Sequence, residues 1–589
     1  MGIRRAGSSM CVFFVVLLTL MVNSMATAQP NPGSERVAAV MAPLSFMPPD
    51  CRDAASSGNC SVRPEVMPYF DQLLLDARNA GVNAVSVDVW WRLIEGRGDN
   101  QFDWTYYDAI FDRIHAAGLK IVPILSFHRC GTGPGDDCDF PLPDWIWTNF
   151  LGQGLSADDL KYESETGHRL DDALPPWLSK RPEVLKQYSE VIAAFGQHYA
   201  SSAPYFLEVN ISLGPTGELR YPAYNGNDCT GFPDRGNFQA YSRVTQQDFR
   251  DWALARFGGL SGVASRWGIT LPTTDEIRVP DGDHQGGCGG QRRAQGFVDR
   301  HDYINIQYGK DFIDWYNDAL ASHGERLLRE ADKALANSMP GVPLGMKIPG
   351  VHWQMKCTPT PRIAEITAGL VQTTTLNLQP VDAARADAFG YRNILDMVAR
   401  VKGQIGRPLV LHFTALEMTN AFACPIPPSG DDTSMAEALV FWIAQSAKDR
   451  NLVYRGENAL ACVTDQGWDH ITNAFRFAGY SGLTLLRLED AELRRRIGAN
   501  PPGCASWNAF TRDHYKTLIS QCITASCSAL APQPAATPST RRLGATYDAQ
   551  ATTFALGRPT AIRWSCCSIP RPMPWLAFRT RMDTPTSMR

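Results

Sequence analysis

Tyr205-Phe-Leu-Glu-Val-Asn-Ile-Ser-Leu213 runs directly into Gly214-Pro-Thr-Gly-Glu-Leu-Arg-Tyr-Pro-Ala-Tyr224. A short apolar run rich in β-branched residues reads as a buried strand, and the Gly and Pro that follow close it with a turn. Gly217 lets the backbone turn sharply, which brings Glu218 to the end of the run. Leu452-Val-Tyr-Arg-Gly-Glu457 repeats the arrangement, with Gly456 before Glu457. A lone glutamate in a loop is ordinarily a solvated charge. Two of them at strand ends, far apart in sequence, suggest paired chemistry instead.

Six more runs of the same kind are spread along the chain. They are Ala38–Leu44, Ala84–Trp91, Lys120–His128, Leu344–Trp353, Leu409–Thr414 and Leu483–Leu488. Between them lie segments of helical period such as Val66–Ala80, Tyr106–Ala117, Glu183–His198 and Gly309–Ala334. Strand–helix alternation about eight times over predicts an α/β fold, a (β/α)8 TIM barrel. That fold does its chemistry at the C-terminal ends of its strands, where Asp88, His128, Glu218, Lys347, Thr414, Glu457 and Arg487 fall. The connection from Leu219 to Val342 is too long for a simple crossover and predicts a lobe that walls a cleft.

The 589 residues, 44% of them hydrophobic, can bury a large core. A net charge of −4 and the lack of a basic stripe argue against nucleic acid or an anionic membrane surface as partner. Arg4 and Arg5 precede the apolar run Met10–Val22, and Ala26-Thr-Ala28 supplies a small-x-small cleavage site. Residues 1–28 are therefore expected to be a signal peptide cleaved near Ala28. The mature protein is expected to be secreted, soluble and without a membrane span. Of 15 cysteines Cys11 lies in that leader, which leaves an even number for an oxidising compartment. Close pairs are Cys51 with Cys60 and Cys130 with Cys138; Cys229 with Cys288, and Cys504 with Cys522 or Cys527, are looser ones. Domain boundaries follow from composition: a catalytic barrel over 29–528, a Pro-rich linker over 529–542 and a disordered tail over 543–589.

Two carboxyl groups facing one another are what glycoside hydrolysis needs, one to protonate the leaving oxygen and one to activate water or attack. Several segments then resemble one family in order: Val87-Asp-Val-Trp-Trp91, Ser126-Phe-His-Arg-Cys-Gly131, Leu213–Tyr224, Lys347-Ile-Pro-Gly-Val-His-Trp353, Phe413-Thr-Ala-Leu-Glu-Met418, Gly456-Glu-Asn-Ala-Leu460 and Leu485-Leu-Arg-Leu488. From about Val37 to Thr517 the chain resembles the β-amylases of glycoside hydrolase family 14, in their bacterial form. The resemblance implies a polysaccharide-degrading exo-enzyme that takes β-maltose, with inversion, from the non-reducing ends of starch, maltodextrins and related α-1,4-glucans.

By that resemblance Glu218 is the general acid and Glu457 the general base. An acid of this kind keeps its proton near neutral pH in an apolar, closed setting. Inversion leaves room for a water, so such carboxyl groups stand ~6.5–9.5 Å apart, against ~5–5.5 Å in a retaining enzyme. The resemblance also assigns substrate contacts to Asp88, His128, Asp136, Lys347, His352, Thr414, Asn458, Ala459 and Arg487, with Arg487 alternatively pairing a carboxylate to hold the base. Gly131-Thr-Gly-Pro-Gly-Asp-Asp137 reads as a lid whose Asp136 closes on sugar, its base tied by Cys130–Cys138 as in the bacterial relatives. Glu95, Asp99, Asn100, Gln187 and Glu190 match a structural calcium site, with Gln187 standing where relatives carry Glu. No organic cofactor is expected. Asn210 also departs from the plant pattern, which has a Glu there. Leu543–Thr553 faintly resembles the first strand of a starch-binding module whose remainder is missing, so no working module is expected. Two other readings remain: a retaining glycosidase, distinguished by the anomer released, and a glucan-binding protein without turnover, against which the intact carboxylates speak.

Overall fold

The computed structural model describes residues 36–51, 60–133, 136–282, 292–355, 358–373, 391–420, 433–500 and 506–524. The leader, the Pro-rich linker and the tail lie outside the described residues, as do Cys288, Cys504 and Cys527.

Each barrel strand grows from one of the apolar runs. β1 (Val37–Met41), β2 (Ala84–Trp90), β3 (Lys120–Ser126), β6 (Val209–Ile211), β7 (Leu344–Pro349), β8 (Leu409–Thr414), β9 (Val453–Glu457) and β10 (Gly482–Leu485) close into a barrel of order β1-β10-β9-β8-β7-β6-β3-β2. Every neighbouring pair is parallel. β1, β7 and β8 are buried at every position. Strands covered on both faces have no solvent side to alternate with, hence their continuous apolar runs. The remaining strands, β4 (Tyr162–Glu163) and β5 (Arg169–Leu170), form a small antiparallel ribbon outside the barrel.

The helices form where the 3.6-residue period called for them. Val66–Asn79 buries Val66, Phe70, Leu73, Leu74 and Ala77 on one stripe. Thr105–Ala116, Pro182–His198 and the 28-residue Gln307–Ala334 likewise follow the expected segments within a residue or two. The long connection after β6 contains helices Arg243–Phe257 and Leu260–Trp267 before Gln307–Ala334 returns to the barrel. Polar side chains hold this lobe together from within. Buried Asp228 accepts hydrogen bonds from Ser164, Thr166, Asn237 and Gln239, and Glu165 pairs with buried Arg235. Among the described residues no helix is long and apolar enough to cross a membrane.

Candidate active site

Both expected carboxylates arrive at the C-terminal end of the barrel. Glu457 is the last residue of β9, while Glu218 follows β6 after a tight turn over Pro215–Gly217. Thr216 and Gly217 take positive φ values of 55° and 81°, so the turn needs its glycine. Gly456 has a different reason. It lies within β9, and a Cβ there would come 2.0 Å from Leu416 Cδ1. Its task is to make room for the loop after β8 rather than to turn the chain.

Two residues from intervening strands join the carboxylates. Lys347 on β7 forms a backbone bridge with Glu218, and its Nζ donates to Glu457 Oε1 and Oε2 at 2.9 and 2.7 Å. Thr414 on β8 is the register partner of Glu457 and donates to Glu218 Oε1 at 2.5 Å. Ala415 and Leu416, just past Thr414, donate their backbone N–H groups to the Glu457 carbonyl. Glu218, Thr414, Lys347 and Glu457 thus make one cluster, in which only Glu218 is not fully buried.

The surroundings of Glu218 differ from the apolar setting expected for it. Its Oε2 accepts from Arg220 Nε at 2.9 Å and from Thr216 Oγ1 at 3.0 Å. Arg220 is buried, and its guanidinium also lies 4.3 Å from the centre of the Tyr224 ring. Neither Arg220 nor Glu417 stands out in the sequence, though both sit inside matched segments. Buried Glu417 accepts N–H groups from Ala459 at 2.8 and 2.9 Å and from Leu460 at 2.7 Å, clamping the loop that follows Glu457. Burial pushes the Glu417 carboxyl up to about 7, Leu460 and Ala459 N–H bonds work against it, and the Glu457 charge adds to it.

The other expected contacts surround this cluster. Asp88 is half-buried on β2 and accepts from Ser126 Oγ at 3.0 Å. His128 Nδ1 lies 2.8 Å from Ser212 Oγ, and burial, with the charges of Lys347 and Arg220, depresses its pKa to about 3. A neutral imidazole suits hydroxyl recognition. His352 is likewise depressed by burial, to about 4, with its Nδ1 2.7 Å from Ser434 Oγ. Asp136 Oδ2 accepts from Gly133 N at 2.8 Å and Gly131 N at 3.2 Å. Burial raises the Asp136 pKa, the Arg487 charge opposes that, and Asp88 adds to it, so these three share one neighbourhood. Asn458 joins two loops, accepting from Leu486 N at 2.9 Å and donating to Leu460 O at 2.8 Å. Ala459 is exposed. Arg487 Nη1 contacts Met41 Sδ at 2.8 Å and its charge acts on Asp136 and Glu489. The base is held by Lys347.

Cys130 and Cys138 sit at disulfide distance at the foot of the expected lid, with Cα atoms 5.7 Å apart; Cys51 and Cys60 do so at 5.3 Å. The expected lid tip, Pro134 and Gly135, lies outside the described residues. The expected calcium ligands lie at the end of the short helix Trp91–Glu95, on the turn that follows it, and on helix Pro182–His198. Glu95 is buried and accepts from Trp91 Nε1 and Asn100 N, each at 2.6 Å. Burial drives its pKa up to about 7, with Asp99 and Glu190 as the like charges that push in the same direction. Gln187 Nε2 lies 3.4 Å from Glu190 Oε2, and Glu190 also pairs with Lys186 at 2.8 Å. Among the described residues no three His, Cys, Asp or Glu side chains are gathered tightly enough to hold a metal by themselves. The amide nitrogens of Gln187 and Asn100 face Glu190 and Asp99, so a cation would need these amides turned to present their oxygens.

Comparison with known proteins identifies the family. The family model described as glycosyl hydrolase family 14 matches residues 59–496. A β-amylase of Niallia circulans is 34% identical over 424 residues, covering 72% of this chain and 64% of that protein. A β-amylase of Cytobacillus firmus is 34% identical over 422 residues, covering 72% of this chain and 79% of its own length. The crystal structure of the catalytic domain of β-amylase from Paenibacillus polymyxa superposes with a TM-score of 0.64 at 30% identity, covering 84% of this chain and 100% of that domain. Matched in this way across its barrel, the chain belongs to glycosyl hydrolase family 14, alongside the β-amylases.

Proposed function

We propose that the protein is an exo-acting, inverting α-1,4-glucan maltohydrolase that releases β-maltose from the non-reducing ends of starch and maltodextrins. The observation that carries this reading is the cluster at the C-terminal end of the barrel, where Lys347 and Thr414 link Glu457 to Glu218. Glu218 serves as general acid, giving its proton to the glycosidic oxygen as the bond to the leaving chain breaks. Glu457, oriented by Lys347, serves as general base and takes a proton from the water that attacks the anomeric carbon from the opposite face. Asp88, His128, Asp136 and Arg487 hold the hydroxyls of the non-reducing-end glucose. Lys347, His352 and Thr414 meet sugar across the cleavage point, and Asn458 and Ala459 line the loop beside the base.

Three further assignments accompany this one. The protein is exported, the Cys130–Cys138 disulfide fastens the foot of the loop that closes over sugar, and Glu95, Asp99, Asn100, Gln187 and Glu190 hold a structural calcium ion. The deciding experiment follows maltotetraose and soluble starch by proton NMR. Maltose should be the first product and its anomeric proton should first appear in the β form. Initial α-maltose would establish a retaining reaction, and random shortening of the chain would exclude exo action.

A further inference from the structure

A buried carboxylate one step below the reaction cluster is unaccounted for by the reaction itself. Glu208, in the residue before β6, is 1% exposed. Its Oε1 lies 2.6 Å from His412 Nε2 and accepts from Asn210 Nδ2 at 3.1 Å, while its Oε2 accepts from Arg455 Nη1 at 2.5 Å. Asn210, His412 and Arg455 are buried as well. Burial alone would raise the Glu208 pKa; the charges of Arg455 and His412 overcome it and hold the carboxyl down at about 2. This is a charged group enclosed in the protein interior.

Its partners stand in a telling relation to the reaction cluster. Side chains two residues apart on a strand face the same way. Arg455 precedes Glu457 by two on β9, and His412 precedes Thr414 by two on β8. In register, Lys347, His412 and Arg455 are Cα partners across β7, β8 and β9, with Thr414 and Glu457 paired one inward position further on. Glu208 itself begins the segment that leads through β6 to Glu218. Gly345 on β7 makes the space, because a Cβ there would come 1.9 Å from Asn210 Oδ1 and 3.2 Å from Glu208 Oε1. A single carboxylate therefore ties together the strands that deliver the acid, the threonine and the base.

Stability is a weak reason to keep such a group. Replacing a buried ion pair by apolar side chains of similar volume often leaves stability unchanged or improves it. We propose that Glu208, with His412 and Arg455, is a positioning unit for the reaction: it cross-ties β6, β8 and β9 and so fixes where Glu218, Thr414 and Glu457 stand relative to one another. The proposal rests on the assignment of Glu218 and Glu457 as acid and base.

The test compares the wild-type protein with two variants on maltotetraose. The first is Glu208→Gln, which keeps the shape and removes the charge. The second is the apolar triple Glu208→Leu, His412→Leu, Arg455→Met, which removes the tie without stranding a buried cation. A misplacement of about 1 Å can cost on the order of 100-fold in rate. The triple variant should therefore keep a thermal midpoint near or above wild type, hold KM within about threefold and lose about 10- to 100-fold in kcat. Glu208→Gln should lose kcat too, and also stability, because Arg455 and His412 lose the carboxylate charge they share. A triple variant that turns over like wild type overturns the proposal. So does a triple variant that does not fold, which would make the triad a requirement of the fold rather than of the rate. Failure of the underlying reading is separate, since it appears as a wild-type protein that releases no maltose.

Discussion

Glu218 and Glu457 differ in what holds them, and that difference sets what their replacement should do. Glu457 is gripped by Lys347 on both oxygens, whereas Glu218 takes donors from Arg220, Thr216 and Thr414. Glutamine in place of either keeps the shape and removes the proton chemistry. Each change should lower kcat by about 100- to 10,000-fold with little change in KM, as measured by maltose release from maltotetraose. A Glu457→Gln protein with undiminished turnover would end the assignment of the base. Glu417 gives a prediction about pH. Its folded-state pKa of about 7 lies above the ordinary glutamate value near ~4.3, so the folded protein binds the extra proton. The stability this contributes is full below the unfolded value and is lost as pH rises through about 7. Thermal midpoints taken from pH ~4.5 to ~7.5 should fall more steeply for wild type than for Glu417→Gln; parallel curves would refute the assignment. Glu218 and Glu457 were legible in the sequence because each follows an apolar run and a glycine. Glu417 and Arg220 were not, because their meaning lies in contacts that the chain order hides: Glu417 clamps residues 459 and 460, and Arg220 is an ordinary-looking arginine until its burial against Glu218 and Tyr224 is seen.

At the scale of elements, all eight barrel strands were legible, because a strand buried on both faces leaves an unbroken apolar run. Their ends were less so. The run Tyr205–Leu213 yields only the three-residue β6, since Ala200–Tyr205 coils into a 3-10 turn and Ser212 turns its hydroxyl to His128. The purpose of Gly456 was misread for a similar reason, as only the packing of Leu416 reveals it. The expected calcium site lies between two elements, the short helix Trp91–Glu95 with the turn that follows it, and helix Pro182–His198. Calcium takes ionised carboxylates, so a calcium ion bound there would have to discharge the proton that burial and the like charges of Asp99 and Glu190 favour on Glu95. Adding calcium to chelator-treated protein should raise the thermal midpoint and release a proton at pH values below about 7, read by calorimetry in buffers of differing ionisation enthalpy. Glu190→Gln should weaken both effects. A midpoint indifferent to calcium would remove the ion from the account, leaving Glu95 as a carboxyl group that hydrogen-bonds Trp91 and Asn100.

At the scale of the whole molecule, the barrel reaches beyond the segment that the family match covers. The match runs over residues 59–496, yet β1 at Val37–Met41 precedes it and helix Ala509–Leu518 follows it. Closure depends on both. β1 lies between β10 and β2, with Ala38 in register with Leu483 and Ala39 with Ala84. Helix Ala509–Leu518, capped by the Asn508 side chain on Thr511 N, covers this seam. Arg512 and Trp507 fasten that end of the chain to Asp76 on the helix Val66–Asn79. From within the helix, fully buried Tyr515 directs its hydroxyl at Ala39 O, 2.7 Å away, and Leu483 O, 2.9 Å away, one carbonyl from each strand of the seam. Glu218 and Glu457 stand at the C-terminal end of the barrel, whereas the Tyr515 hydroxyl meets carbonyls within β1 and β10, so seam and site should respond independently to mutation. Tyr515→Phe removes the hydroxyl and keeps the ring, which should cost about 1–2 kcal/mol of stability while kcat and KM on maltotetraose stay at wild-type values. Chemical denaturation followed by tryptophan fluorescence, beside an activity assay, makes the comparison. Lost activity in a protein of unchanged stability would show that closure of the barrel reaches the carboxylates after all, and that the first and last strands belong to the machinery rather than to its frame.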